Sequence, residues 1–245
     1  MSLQNSIGIK HSKMKKLVIL SGAGMSAESG IRTFRDAGGL WEGHNVMDVA
    51  SPEGWARDPL LVTEFYNQRR MQLAEVGPNA GHLALQELED TFETVIITQN
   101  VDDLHERAGS SNIIHLHGEL TKLRSSRHED EIRDIGYSAT VYGETCSRGS
   151  LLRPHIVWFG EAVPLIETAA ELVAKADILI IVGTSLEVYP AAGLLYHAPA
   201  HCKIYLVDPN RHEDLRVRNL ELIRDTAAKA LPELVQKLKR AFPAA

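Results

Sequence analysis

Six apolar runs of strand length recur along the chain, at residues 17–20, 94–98, 113–117, 156–159, 178–182 and 204–207. Helix-like stretches separate them, notably 78–88 and 164–176, each with a proline near its start where a missing N–H costs little. Strands alternating with helices imply an α/β fold, a Rossmann-like, mostly parallel sheet with helices on both faces. Leu231, Leu234, Leu238 and Phe242 recur at helical spacing and are expected to pack back on the sheet. Two stretches break the alternation: 30–71 follows a Gly-rich loop, and 120–153 is polar and without apolar periodicity. The expected organisation is a sheet domain from 1–30, 72–119 and 154–245, with 31–71 and 120–153 forming a smaller inserted module.

The bulk numbers close off several classes. An apolar content of 44% over 245 residues supports a substantial core. A net charge of −6 gives no reason to expect nucleic acid or an anionic membrane as partner. The longest apolar run, 178–182, is strand-sized, and the N-terminal MSLQNSIGIKHSKMKK has no apolar core of signal-peptide type. The two cysteines, Cys146 and Cys202, suggest a reducing compartment, so a cytoplasmic monomer is the default expectation.

Chemistry-bearing residues gather where the strands end. After 17–20, Gly22, Gly24 and Ala27 fit G-x-G-x-x-G/A, whose small residues let backbone approach a pyrophosphate. Gly30 then interrupts the expected helix, and an apolar ring and two arginines follow in IRTFR. In TQNVDDLHERAG, Gln99, Asn100 and Asp102 come directly after a strand, where open α/β sheets bind ligands. Amides and a carboxylate there suit ribose hydroxyls and a carboxamide. Gly183, Thr184 and Ser185 end a later strand in the same way. His115 and His117 are two apart and share a strand face. A metal pair lacks a third ligand nearby; a structural role suits His115, whereas His117, next to Gly118, is placed to be a general base with a pKa near 6.5.

GAG-x-S-x-x-SGI-x-x-FR, TQN-x-D-x-L, H-x-HGE, VWFGE and GTS, in this order from about residue 18 to 231, resemble the sirtuin family of NAD-dependent protein-lysine deacylases. The variant GIRTFR resembles its class III branch. The resemblance implies NAD as cosubstrate and explains the arginines: Phe34 would screen the reacting ribose and Arg35 would contact the phosphates. Gly22, Ala23, Gly24 and Ala27 would lie against the pyrophosphate, with Trp41 also binding the cofactor and Gln99 on the nicotinamide ribose. Asn100 and Asp102 would form the nicotinamide pocket, and Gly183, Thr184, Ser185, Asp208, Asn210 and Ala227 would line the adenosine half. His117 and Asn100 would be catalytic, the acyl oxygen of a modified lysine displacing nicotinamide. Val157, Trp158, Phe159, Gly160 and Glu161 would supply the lysine tunnel and an edge for peptide strand addition.

Two features qualify the match. Sirtuins carry a structural zinc on two C-x₂-C pairs, but here Ser125 and Ser126 stand at the first pair and only Cys146 lies near the second. Cys146, His128 and Glu129 are a poor four-ligand set, so no zinc is expected. In EFYNQRR, Tyr66 and Arg69 are three apart on a helix, as in the class III pattern that reads an acyl-chain carboxylate. The implied activity is removal of acyl groups from protein lysine, succinyl and malonyl preferred and acetyl accepted, yielding nicotinamide and O-acyl-ADP-ribose. ADP-ribosyl transfer, NAD hydrolysis and a non-catalytic NAD or ADP-ribose sensor are the alternatives.

Overall fold

The computed structural model describes residues 14–32, 40–210, 212 and 215–243. In chain order the elements are β1 (Lys16–Ser21), β2 (Leu40–Trp41), β3 (His44–Asn45), α1 (Val46–Val49), α2 (Pro52–Arg57), α3 (Pro59–Glu75), α4 (Ala80–Gln86), β4 (Glu93–Thr98) and α5 (Leu104–Arg107). There follow β5 (Ile113–His115), β6 (Gly118–Ser125), β7 (Ile132–Asp134), β8 (Leu152–Ile156), α6 (Ile166–Val173), β9 (Ile178–Val182), β10 (Lys203–Val207), β11 (Leu220–Ile223) and α7 (Ala227–Ala241).

The main sheet is parallel throughout, in the order β11-β10-β9-β1-β4-β5. Its central strands are buried along their length, so they read as unbroken apolar runs. α4 and α7 pack on one face with Leu85, Leu88, Leu231, Leu234 and Leu238. α6 and a 3₁₀ segment, Ala191–His197, cover the other through Ala169, Val173, Leu194 and Leu195. The expected α/β architecture is the one observed. Among the described residues no helix is long and apolar enough to cross a membrane.

Three expectations shift. The run at 113–117 is a strand only to His115, and that at 156–159 belongs to β8, which ends at Ile156. The polar stretch 120–153 contains β7, most of β6 and the start of β8, which form an antiparallel sheet in the order β7-β6-β8. Its pattern is hard to see because β6 shifts register between Gly118 and Leu123, which disrupts the period of two. α3 lies against this sheet, with Val62, Phe65, Tyr66 and Leu73 meeting Leu120, Ile156 and Trp158.

Arg70, next to Arg69 on α3, is wholly buried. Its Nε donates to Ser138 O at 3.1 Å, Nη1 to Leu120 O at 3.4 Å, and Nη2 to Thr140 Oγ1 at 3.2 Å and to Asn67 Oδ1. Five fixed donors let one arginine satisfy carbonyls that would otherwise be stranded beneath the loop.

Candidate active site

From β1 the chain crosses to β4 on one side and later returns to β9 on the other, so the sheet order reverses at β1. Crevices for ligands open at such switch points, beyond the carboxyl ends of the strands. The loops after β1, β4 and β9 meet there. Gly22 N donates to Val182 O (3.0 Å), Gly24 N to Gly183 O (2.8 Å) and Gln99 N to Ser21 O (2.9 Å). A Cβ on Gly22 would lie 2.8 Å from Gly183 O and Thr184 Cβ, and one on Gly24 would lie 2.7 Å from Gly183 Cα. The glycines are therefore demanded by close loop-on-loop packing, a reason the fingerprint alone does not reveal. Ala23 and Ala27 are exposed, and two 3₁₀ turns, Ala23–Met25 and Ala27–Ser29, replace the helix of an ordinary dinucleotide fold before Gly30 turns left-handed at φ 98°. Phe34 and Arg35 lie outside the described residues.

A compact polar cluster sits beside this loop. Ser26 Oγ donates to Asp102 Oδ2 (2.8 Å) and accepts from Asn100 Nδ2 (3.1 Å), so one hydroxyl orients both residues. Asp102 is 6% exposed, and burial pushes its carboxyl up to about 6. Ser26 was legible in the sequence only as a fixed serine between two glycines. Gln99 Nε2 donates to Thr184 Oγ1 at 3.3 Å, tying the β4 loop to the β9 loop.

The two histidines differ in their contacts. His117 Nδ1 lies 3.0 Å from Gln99 O. A carbonyl can only accept, so Nδ1 carries the proton and Nε2 is the acceptor in the neutral ring. Burial lowers the His117 pKa below its ordinary value, against the smaller raising effect of that hydrogen bond. The expectation of a pKa near 6.5 is thus corrected downward. His115 contacts Asn100 O through Nδ1 (3.1 Å) and Glu106 Oε1 through Nε2 (2.7 Å). Burial works against its charge, but the Glu106 hydrogen bond and charge prevail and the pKa rises. These two contacts hold the His115 ring against the Asn100 backbone.

Adjoining Asp102 is a cavity of about 50 Å³ lined by Ile31, Arg32, Trp41, Glu42, Arg69 and Asp102 among others. That is room for a few waters or the end of a short chain. Trp41, expected with the cofactor, stands here edge-on to Phe65 (5.0 Å) and Tyr66 (6.2 Å). Arg69 Nη1 lies 3.0 Å from Glu42 Oε1. Tyr66 does not line the cavity: it has no exposed surface, and its oxygen accepts from Trp158 Nε1 at 2.9 Å.

The segment Val157 to Glu161 departs from its expected part. Val157 N donates to His117 O (2.9 Å), Phe159 N to Ala50 O (2.9 Å), Trp158 N to Glu161 Oε2 (2.8 Å) and Glu161 N to Trp158 O (3.0 Å). A peptide strand laid here cannot draw on those four donors. Glu161 also pairs with Arg124 (3.1 Å) and Arg153 (2.6 Å), which makes it a brace between β6 and β8 rather than a substrate contact. Trp158 is buried, Phe159 is 40% exposed, and Gly160 takes the left-handed turn at φ 92°.

On the far side of β1, Asp208 is buried, and its Oδ1 accepts from Asn210 N (2.8 Å) with His212 Nε2 at 3.4 Å. Ala227 opens α7, whose start is pinned to the glycine loop by Glu28: Thr226 Oγ1 donates to Oε1 (3.0 Å) and Ala228 N to Oε2 (2.7 Å). Ser185 follows Thr184 in the β9 loop, beside Gly183 at φ 61°.

In the 120–153 stretch, Ser125 Oγ accepts from Arg127 N (3.3 Å) and His128 N (3.1 Å), with Cys146 Sγ at 3.5 Å. Glu131 accepts from Ser147 N (2.9 Å) and Arg148 Nε (2.5 Å). Among the described residues no group of three or more His, Cys, Asp or Glu is placed to hold a metal ion.

Residues 22–190 match the Sir2 family. The chain belongs to that family. A relative, the NAD-dependent protein deacylase of Bacteroides thetaiotaomicron, is 56% identical over 231 residues, covering 92% of this chain and 98% of its own. A Sir2 homologue solved with ADP-ribose superposes at a TM-score of 0.85 with 37% identity over 94% of each chain. A Sir2 homologue–NAD complex gives 0.83 at 38% identity, covering 94% of this chain and 91% of that one. Within this Sir2 fold, the matching motifs are the loops at the sheet's switch point. What sequence reading missed in the sirtuin site are the residues that serve others: Ser26, Glu106 and Glu42.

Proposed function

We propose that the chain is an NAD-dependent protein-lysine deacylase that prefers acyl groups ending in a carboxylate, succinyl and malonyl, and accepts acetyl in part. The observation that carries this reading is Arg69. Its guanidinium lines the cavity beside Asp102 with its side chain 15% exposed, and its Nε is buried without a hydrogen-bond partner. A short acyl chain ending in a carboxylate offers the paired acceptors a guanidinium fork is built for. Tyr66, expected beside Arg69, is fully buried outside the cavity with its oxygen accepting from Trp158, so the reading rests on Arg69. The relative's name and the NAD- and ADP-ribose-bound neighbours support NAD as cosubstrate.

NAD supplies a ribose whose C1′ accepts the acyl oxygen as nicotinamide leaves. The loops after β1, β4 and β9 would hold it, with Asn100 and Asp102 toward the carboxamide and the Asp208 loop toward the adenosine. His117 Nε2, the acceptor of a ring whose other nitrogen is fixed by Gln99 O, takes a proton from a ribose hydroxyl. The remaining task is positioning and exclusion of water, which a buried crevice performs. The ribose 2′-oxygen so freed attacks the imidate carbon, and one water then releases the amine, giving free lysine, nicotinamide and O-acyl-ADP-ribose.

A panel of acyl-lysine peptides with NAD, read by mass spectrometry, tests this. Succinyl and malonyl peptides should give O-acyl-ADP-ribose with kcat/KM about ten- to a hundredfold above acetyl, since each charge-assisted hydrogen bond is worth roughly 1.5–3 kcal/mol. R69M should lose most desuccinylation and spare deacetylation. NAD consumed equally without peptide, or acetyl turned over as fast as succinyl, would overturn the reading.

A further inference from the structure

The Arg69 guanidinium already faces a carboxylate of the protein itself. Glu42 Oε1 lies 3.0 Å from Arg69 Nη1, and its Oε2 lies 3.7 Å from Arg32 Nη1. Glu42 and Arg69 side chains are each 15% exposed, whereas that of Arg32 is 76% exposed. Glu42 thus stands between a sheltered cation and a solvated one, and all three line the same cavity. Close as they are, Arg69 Nη1 and Nε make no aligned hydrogen bond, so charge rather than directed bonding holds the pair. The backbone beneath Glu42 is set by a tight turn between β2 and β3, with Glu42 at φ 50° and Gly43 at φ 85°. The turn sets the main chain so that the one carboxylate lies within 4 Å of both arginines.

We propose that Glu42 is a resident carboxylate that occupies Arg69 when the acyl group carries none, and yields to an acyl carboxylate by turning to Arg32. It thereby sets the ratio of acidic to neutral acyl groups that the enzyme accepts. With an acetyl group bound, Glu42 keeps Arg69 from being a buried, unpaired charge, which would otherwise penalise the complex. With a succinyl group bound, the aligned fork of two hydrogen bonds displaces a contact that has none, and Arg32 takes up the released carboxylate. Glu42 is a specificity residue acting through Arg69, and the proposal rests on the reading of Arg69 given above.

Steady-state kinetics of wild type, E42Q and R69M on succinyl- and acetyl-lysine peptides at saturating NAD test it. E42Q should lower KM for the succinyl peptide by about three- to tenfold, the scale of a partly exposed ion pair, with kcat within about twofold. Acetyl KM should be unchanged or higher. A succinyl-to-acetyl ratio of kcat/KM that stays level or falls in E42Q overturns the proposal. If R69M meanwhile loses only the succinyl activity, the Arg69 reading stands and Glu42 alone is wrongly assigned; if R69M weakens both substrates equally, the Arg69 reading itself falls and this proposal with it. Should E42Q fail to fold, E42N carries the same test, because asparagine accepts the left-handed backbone at position 42.

Discussion

Replacing Tyr66 by phenylalanine deletes one oxygen from a side chain with no exposed surface, leaving ring packing against Phe65 and Trp41 unchanged in shape. That oxygen accepts Trp158 Nε1–H at 2.9 Å, and Trp158 is 2% exposed. The variant therefore strands a buried donor, at a cost of about 1–3 kcal/mol. In a chain of this size that lowers the melting midpoint by about 3–10 °C. Burial raises the phenol's pKa above its ordinary value, so Tyr66 is a neutral donor at every pH where the enzyme works. Because Tyr66 lies outside the cavity, kcat/KM should change little, and alike on succinyl and acetyl peptides. Differential scanning calorimetry and peptide kinetics read the two effects separately. An unchanged melting point would refute the assigned strength of the Trp158 bond. A loss confined to the succinyl peptide would refute the placing of Tyr66 outside the acyl site.

Because burial disfavours the imidazolium form of His117, its acceptor persists below pH 6.5. Under chemistry-limited conditions kcat/KM should hold down to about pH 6.5 and decline only in more acid solution, and H117A should abolish deacylation while sparing NAD binding; a decline beginning above pH 7 would refute this. His82 is buried against the His105 ring (centroids 4.9 Å), and burial pushes it down to about 4. The unfolded chain therefore takes up this proton first as pH falls. The stability that neutral burial contributes, about 3 kcal/mol, is complete above pH 6.5 and is lost between there and about pH 4, with about 2 kcal/mol gone at pH 5. Urea midpoints at pH 7.5 and 5 check this, and an H82Q variant with undiminished acid sensitivity would refute the assignment. Purified protein should contain no stoichiometric zinc and keep its melting point in chelator, since a structural zinc is worth on the order of 10 kcal/mol and its removal would be evident.

The alternation of buried strands and helices was legible because periodicity is local: 178–182 is β9 as read, and 17–20 and 204–207 each fall inside their strands. The candidate site was legible for a related reason. Gly22, Asn100, Asp102 and Gly183 mark strand ends, and a parallel sheet brings its strand ends together whatever the order. Strand order itself was not legible, and it alone places the reversal at β1 and so the crevice. A bulge hid β6, and β7 left no apolar period to read because all three of its residues are exposed. The same holds for side chains whose roles come from distant partners. Trp158, 92 residues from Tyr66, takes the phenol into the core; the 138–140 loop makes Arg70 a cross-link; and a two-residue turn brings Glu42 onto Arg69. The sequence by itself determined which groups stand at the strand ends, through backbone geometry that needs only neighbours. Only the tertiary structure decided how each is charged and paired, because burial and Coulomb partners are properties of the packed molecule.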